Sequence, residues 1–188
     1  MIKIGIVALQ GAITEHILAV KNALHSLNID GKVIPIKTKL PTIDGLIIPG
    51  GESTTISHLL EKSGLLWGIQ KRASSLPIMG TCAGCILLAQ QENGIKTLGV
   101  MHMEVERNAF GRQKNSFQYP LKIHGFEESF PGVFIRAPVI RRVWNNCRPL
   151  AWIDDKIVMA KEKHFLAVAF HPELASDLRI HQYFLKML

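Results

Sequence analysis

Residues 2–9 are apolar at nearly every position, with β-branched Ile and Val predominating, and the run ends at Gln10-Gly11. A strand with one wet face alternates apolar and polar residues, so a run without alternation buries both faces, as strands of a parallel sheet do. The same signal recurs at 45–49 (GLIIP) and, very briefly, at 77–79. Residues 33–36 form a further short run, and Pro35, which has no N–H to donate, marks it as a sheet edge. Between these runs the period changes to that of a helix. Ile17, Leu18, Val20 and Leu24 follow Thr14, which reads as an N-cap. Amphipathic helices are expected over 54–62 and 65–73, and an apolar one after residue 84 through 87–90. Alternation of this kind specifies an α/β chain with a mostly parallel, doubly wound sheet and helices on both faces.

The texture changes after Gly99. Short β-like runs at 100–105, 132–135, 139–144, 157–160 and 166–170 are separated by turn residues, with Asp154-Asp155-Lys156 reading as a hairpin turn. Mixed or antiparallel strands are therefore expected in the second half, closed by an amphipathic helix over 176–188. Residues 1–188 read as one domain, without repeat or linker. No apolar run approaches the roughly 20 residues that span a bilayer, so a membrane role is not expected. The net charge of +7 invites a nucleic-acid reading. Against it, the basic residues fall in scattered pairs (Lys37/Lys39, Lys71/Arg72, Arg141/Arg142, Lys161/Lys163), and aromatics make up only 7%. A solvated basic surface is the simpler account. Three cysteines, an odd number, argue against a disulfide framework and for a reducing, cytoplasmic setting. The opening apolar run reads as a strand rather than a secretory leader.

Gly80-Thr81-Cys82-Ala83-Gly84 lies between a short strand and a helix. This is the nucleophile-elbow pattern with Cys in place of Ser: glycines permit a tight turn, and a helix N-terminus favours the reactive thiolate. A buried, inert Cys in a glycine turn would look the same. Cys82 and Cys85 also make a C-x-x-C, as in dithiol redox proteins or half a zinc site. Cys147 is the remaining cysteine and no second metal-ligand pair matches, which weakens zinc. The motif also stands behind several βα units, where a thioredoxin-like one would follow an early strand. His171-Pro172-Glu173 follows the apolar run that ends at Phe170. In an extended segment His171 and Glu173 share a side, so the carboxylate can orient the ring that takes a thiol proton. Pro49-Gly50-Gly51-Glu52-Ser53 follows another strand. Its glycines let backbone N–H groups approach an anionic oxygen, and Ser53 reads as a helix cap.

In this order and spacing, PGGES, GTCAG and HPE resemble the class I (triad) glutamine amidotransferases. The segments 5–16 (GIVALQGA–EH), 45–55, 80–84, 105–113 (VERNAFGRQ), 132–138 (GVFIRAP) and 170–174 are similar to the glutaminase subunits of pyridoxal 5′-phosphate synthase, and they span nearly the whole chain. The resemblance implies a glutaminase with Cys82 as nucleophile, His171 as general base and acid, and Glu173 as its orienting partner. It implies backbone N–H groups of Gly51 and Ala83 as the oxyanion hole. Gly50, Gly51, Glu52, Arg107, Ile135 and Arg136 would hold L-glutamine, with no metal or cofactor. It further implies delivery of ammonia to a separate synthase chain in a large hetero-oligomer, with low activity until the two dock. Two features depart from the pattern: Cys85 stands where an aliphatic residue is expected, and 90–99 is short. The other histidines read as structural or surface residues, except His16, which is expected near the partner interface.

Overall fold

The computed structural model describes residues 1–91, 94–110 and 116–188. The first half runs β1 (Ile2–Val7), α1 (Ile13–Ser26), β2 (Gly31–Ile36), β3 (Gly45–Ile48), α2 (Ser53–Lys62), α3 (Leu65–Arg72), β4 (Ile78–Thr81), α4 (Ala83–Leu88) and β5 (Ala89–Gln91). The second half runs β6 (Met101–Glu106), β7 (Ser116–Leu121), β8 (Phe130–Ile135), β9 (Val139–Val143), β10 (Arg148–Ile153), β11 (Lys156–Glu162), β12 (Phe165–Val168), a single 3-10 turn (Pro172–Leu174) and α5 (Arg179–Leu185). The main sheet has the order β2-β1-β3-β4-β12-β11-β9-β6-β5, with β10 also paired to β11. Strands β2, β1, β3, β4 and β12 are parallel to one another, and β11 reverses against β12. β7 and β8 form a separate antiparallel hairpin.

The unbroken apolar runs have the expected cause. Along β3 and β4, Ile47 and Met79 face a core shared with Val20 and Leu24 of α1 and Phe184 of α5. Their neighbours Leu46, Ile48 and Ile78 face the opposite core, built with Ile56 and Leu60 of α2 and Ile69 of α3. Each strand is thus buried on both sides. As Pro35 suggests, β2 is the edge of the sheet. Among the described residues no helix is long and apolar enough to cross a membrane.

Several expectations need correction. Ala12, not Thr14, precedes the first turn of α1. Leu18 lies on the wet face at 60% exposure, while His16 occupies the buried stripe. The apolar helix after the elbow stops at Leu88, because Ala89 turns to an extended conformation and the chain joins the sheet beside β6. The closing helix is shorter than 176–188. The Asp177 carboxylate accepts the Arg179 N–H at 3.0 Å, an Asx-type turn that delays the helix. Strands β7 and β10 were not anticipated.

Candidate active site

Strands β3, β4 and β12 are adjacent and parallel, so their carboxyl ends, and the three motifs that follow them, emerge side by side. Cys82 follows β4 directly, with φ 49° and ψ −104°, a backbone conformation costly for a residue with a side chain. Its N–H donates to the Val168 carbonyl at 2.8 Å, which helps hold the turn. The flanking glycines are required by contact. A Cβ on Gly80 would stand 2.3 Å from the Gly84 carbonyl oxygen, and one on Gly84 would stand 2.0 Å from that of Ile48. Cys82 therefore sits at the N-terminus of α4, whose first amides have no partner within the helix.

The N–H of His171 donates to Val133 of β8 at 2.8 Å, tying the motif to the hairpin. Its ring Nδ1 lies 2.7 Å from Glu173 Oε1. The contact is made differently from the extended geometry read in the sequence. Pro172 opens a 3-10 turn, where its fixed φ fits and its missing N–H costs nothing, and the turn folds Glu173 back toward the ring. A Cβ on Gly50 would meet His171 Cε1 at 2.6 Å and Cys82 Cβ at 3.1 Å, so the three motifs touch at one point. Burial alone would push the His171 ring down. Hydrogen bonding and charge from the Cys82 sulfur and the Glu173 carboxylate, both facing it, outweigh that and raise it to about 10. At neutral pH the ring is an imidazolium with a proton to give.

The loop at 50–53 is clamped from outside. The Gly50 carbonyl accepts the Ala12 N–H at 3.0 Å, and Gln10 Oε1 accepts the Glu52 N–H at 2.9 Å. A trans peptide directs its N–H opposite its carbonyl, so the Gly51 N–H points away from Ala12. Glu52, not Ser53, caps α2. Its carboxylate accepts from the Thr54 and Thr55 amides at 3.3 and 2.7 Å and from both hydroxyls. Those bonds, that of the Thr54 hydroxyl first, lower it to about 2.

These motifs form one wall of a cleft of about 750 Å³. The turn after β6, with Arg107, Asn108 and Phe110, lines a second side, and Ile135, Arg136 and Ala137 at the end of β8 line the third. The Ile135 carbonyl stands 3.9 Å from Cys82 Sγ. A charged rim, a thiol at a helix N-terminus and an imidazolium held by a carboxylate suit acyl transfer from a small amide.

A model of the SNO glutamine amidotransferase family matches residues 6–188. The chain belongs to that family. Among curated relatives of this SNO-family chain, the pyridoxal 5′-phosphate synthase subunit PdxT of Pyrococcus furiosus is 47% identical over 196 residues, with 100% of both chains covered. The protein of the same name from Brevibacillus brevis is 47% identical over 191 residues, covering 99% of this chain and 97% of its own. A solved structure described as a glutamine amidotransferase superposes with a TM-score of 0.87 at 44% identity, covering 98% of this chain and 97% of that one. The resemblance seen in the sequence is thus the correct family, and the fold expected from it is the fold observed.

For this SNO-family chain, the structure brings Cys82, His171, Glu173, Gly50, Gly51 and Ala83 together, and places Arg107, Ile135 and Arg136 on the cleft. Glu52 also lines it, but its carboxylate and N–H are already engaged as described. Residues 111–113 of the VERNAFGRQ segment, and 92–93 of the short stretch 90–99, lie outside the described residues. Cys85 is wholly buried in the apolar core. Burial first, then the neighbouring sulfurs of Cys82 and Cys147, push its thiol far up, so it packs as a small apolar residue and is a poor resolving thiol. Among the described residues no group of three or more His, Cys, Asp or Glu could hold a metal ion.

Asn108, Phe110 and Ala137 also reach the cleft, from turns whose register no periodicity specifies. Gln10 braces the loop from a QGA turn signal directly after the first strand, which by itself gives the side chain no role. His16 is not at a surface: it is wholly buried behind Glu173. A polar residue inside an otherwise apolar helical stripe was the available signal.

Proposed function

We propose that residues 1–188 form one glutaminase domain in which Cys82, His171 and Glu173 act as a catalytic triad on L-glutamine. The carrying observation is the strained elbow that sets Cys82 beside an imidazole tethered to a buried carboxylate. The Cys82 thiolate attacks the side-chain carboxamide carbon. The resulting oxyanion is held by the N–H groups of Ala83, at the start of α4, and Gly51, whose amide points away from its clamp on Ala12. Cationic His171 gives its proton to the departing ammonia, leaving a γ-glutamyl thioester on Cys82. Neutral His171 then takes a proton from water as the hydroxide attacks the thioester, which releases L-glutamate and restores the Cys82 thiolate beside the His171 imidazolium. Glu173 orients the ring and stabilises its charge throughout.

Arg107 and the Ile135–Arg136 segment contact the amino and carboxylate groups of glutamine, and Gly50, Gly51 and Glu52 shape the wall against its carboxamide. Glu52 acts here through the loop it braces. The reaction needs no cofactor or metal. The relatives' name, subunit of a pyridoxal 5′-phosphate synthase, supports a role in vitamin B6 biosynthesis: a separate synthase chain, joined in a large cytoplasmic hetero-oligomer, receives the ammonia. Ammonia release from L-glutamine, measured with and without a synthase subunit of this pathway, tests the reading. Release that rises on adding the subunit, and is absent in Cys82→Ala, is expected. No release in either condition contradicts it.

A further inference from the structure

Glu173 is approached from two sides, and it forms its hydrogen bond on the triad side alone. Its side chain is wholly buried; Oε1 faces His171, while Oε2 lies 3.3 Å from His16 Nε2. Behind His16 comes a second histidine, His181 of α5, whose Nε2 stands 3.1 Å from His16 Nδ1. Both rings are inaccessible to solvent. The hydroxyl of Thr81, the residue before Cys82, lies 2.9 Å from His16 Nε2. Helices α1 and α5, the end of β4 and the 3-10 turn thus converge on a sealed polar cluster directly behind the cleft.

Burial drives both rings toward the neutral form. His16 is held well down by burial and then by the charges of His181 and His171, and His181 falls to about 4 through burial. Each neutral ring has one N–H to place. If His16 carried it on Nδ1, the bare lone pair of Nε2 would face a carboxylate oxygen, and His181 would be left with a buried Nδ1–H that has no acceptor. If His181 donates from Nε2 to His16 Nδ1, then His16 Nε2–H bonds the Thr81 hydroxyl with Glu173 Oε2 in ion-pair reach, and the two atoms left without a hydrogen bond, His181 Nδ1 and Glu173 Oε2, are both only unused acceptors. A stranded donor costs more than a stranded acceptor, so the second arrangement holds.

We propose that His16, its tautomer set by His181, is a positioning residue for the triad: its Nε2–H, anchored on Thr81, faces the second oxygen of Glu173 across 3.3 Å, and its dipole favours the plane in which that carboxylate meets His171. The proposal rests on the triad reading above. A terminal carboxylate torsion is soft, and one hydrogen bond leaves it free to turn. An N–H dipole from another element, facing the second oxygen, narrows that freedom, and a neutral ring does so without competing for the charge that stabilises the His171 imidazolium.

The test is a cycle of four proteins, each supplied with L-glutamine and the synthase subunit: wild type, His16→Leu, Glu173→Gln and the double variant. His16→Leu is expected to lower kcat about 10- to 100-fold, the range for loss of an outer-shell support, with KM unchanged. In the Glu173→Gln background the same change should cost almost nothing more, because the group His16 faces is already altered. His16→Gln, which keeps an N–H, should recover most of the loss. Losses that multiply, or an unchanged kcat in folded His16→Leu, overturn the proposal. A silent Glu173→Gln instead overturns the triad beneath it. Nitrogen NMR of the histidine rings in the wild-type protein needs no variant to fold. Nε2–H on a neutral His16 is expected, and Nδ1–H or a charged ring refutes the assignment.

Discussion

The parallel and antiparallel halves of the sheet meet at the cleft and contribute different things to it. From the parallel half come the loop 50–53, Cys82 and His171, each beyond the carboxyl end of a neighbouring strand. From the other half come the turn after β6, and from the separate hairpin the end of β8, bringing Arg107, Asn108, Ile135 and Arg136. A parallel sheet delivers every carboxyl end to the same edge, so three loops distant in sequence converge without special provision. Antiparallel strands send alternate ends to that edge, and fewer of their loops reach it. On the function proposed above, labour is divided: the parallel half would carry the reacting groups, and the rest of the chain the walls that recognise the substrate. Variants of the first group should act on kcat and variants of the second on KM.

The largest effect is expected from His171→Asn, which removes base and acid together and should cost about 10⁴-fold or more in kcat. A loss confined to KM would break the division. The same residue leaves a mark on stability. Folded His171 keeps its proton to about pH 10, whereas the unfolded chain releases it near the ordinary 6.5. The stabilisation from that proton is complete below about pH 6.5, fades above it and is gone once pH passes about 10. Thermal unfolding across that window should show the stability difference moving against wild type relative to His171→Asn as pH rises.

Glu173→Gln should follow, with kcat lower by about 10²- to 10⁴-fold as the ring loses its orienting charge. Steady-state ammonia release measures it. Smaller again are Arg107→Ala and Arg136→Ala. Each removes a charge-assisted contact worth about 1.5–3 kcal/mol, which should raise KM by roughly 10- to 100-fold with kcat nearly kept. A kcat effect as large as that of Glu173→Gln would place these arginines among the reacting groups. Smallest is Cys85→Ala, with a stability cost of about 1 kcal/mol and hydrolysis retained in the presence of reductant. An inactive but folded Cys85→Ala protein would revive the dithiol reading of the C-x-x-C.

The same division governs what could be read from the sequence. Strands β1, β3 and β4 are legible because burial on both faces leaves almost only apolar residues, and the motifs at their ends carry glycines that contact requires. Strand β7 is not legible because, among the described residues, it pairs only with β8, and its residues Ser116, Gln118, Tyr119 and Pro120 face solvent. Leu18 and His16 occupy each other's expected places, the leucine exposed and the histidine buried. Helical spacing alone favours the leucine as core, whereas tertiary contacts with Glu173 and His181 select the histidine. The pairing of His171 with Glu173 was legible as a contact but not as a turn, since nothing local in H-P-E announces the 3-10 geometry.

The central claim is that Cys82 forms a bond to substrate. Wild-type protein mixed with L-glutamine and the synthase subunit, quenched in acid during turnover and digested for mass spectrometry, tests it most directly. A γ-glutamyl adduct on the peptide bearing Cys82 is expected, lost on mild base and absent from Cys82→Ala, which should release no ammonia. Sustained ammonia release by Cys82→Ala, without an adduct on Cys82 in wild type, would contradict the account.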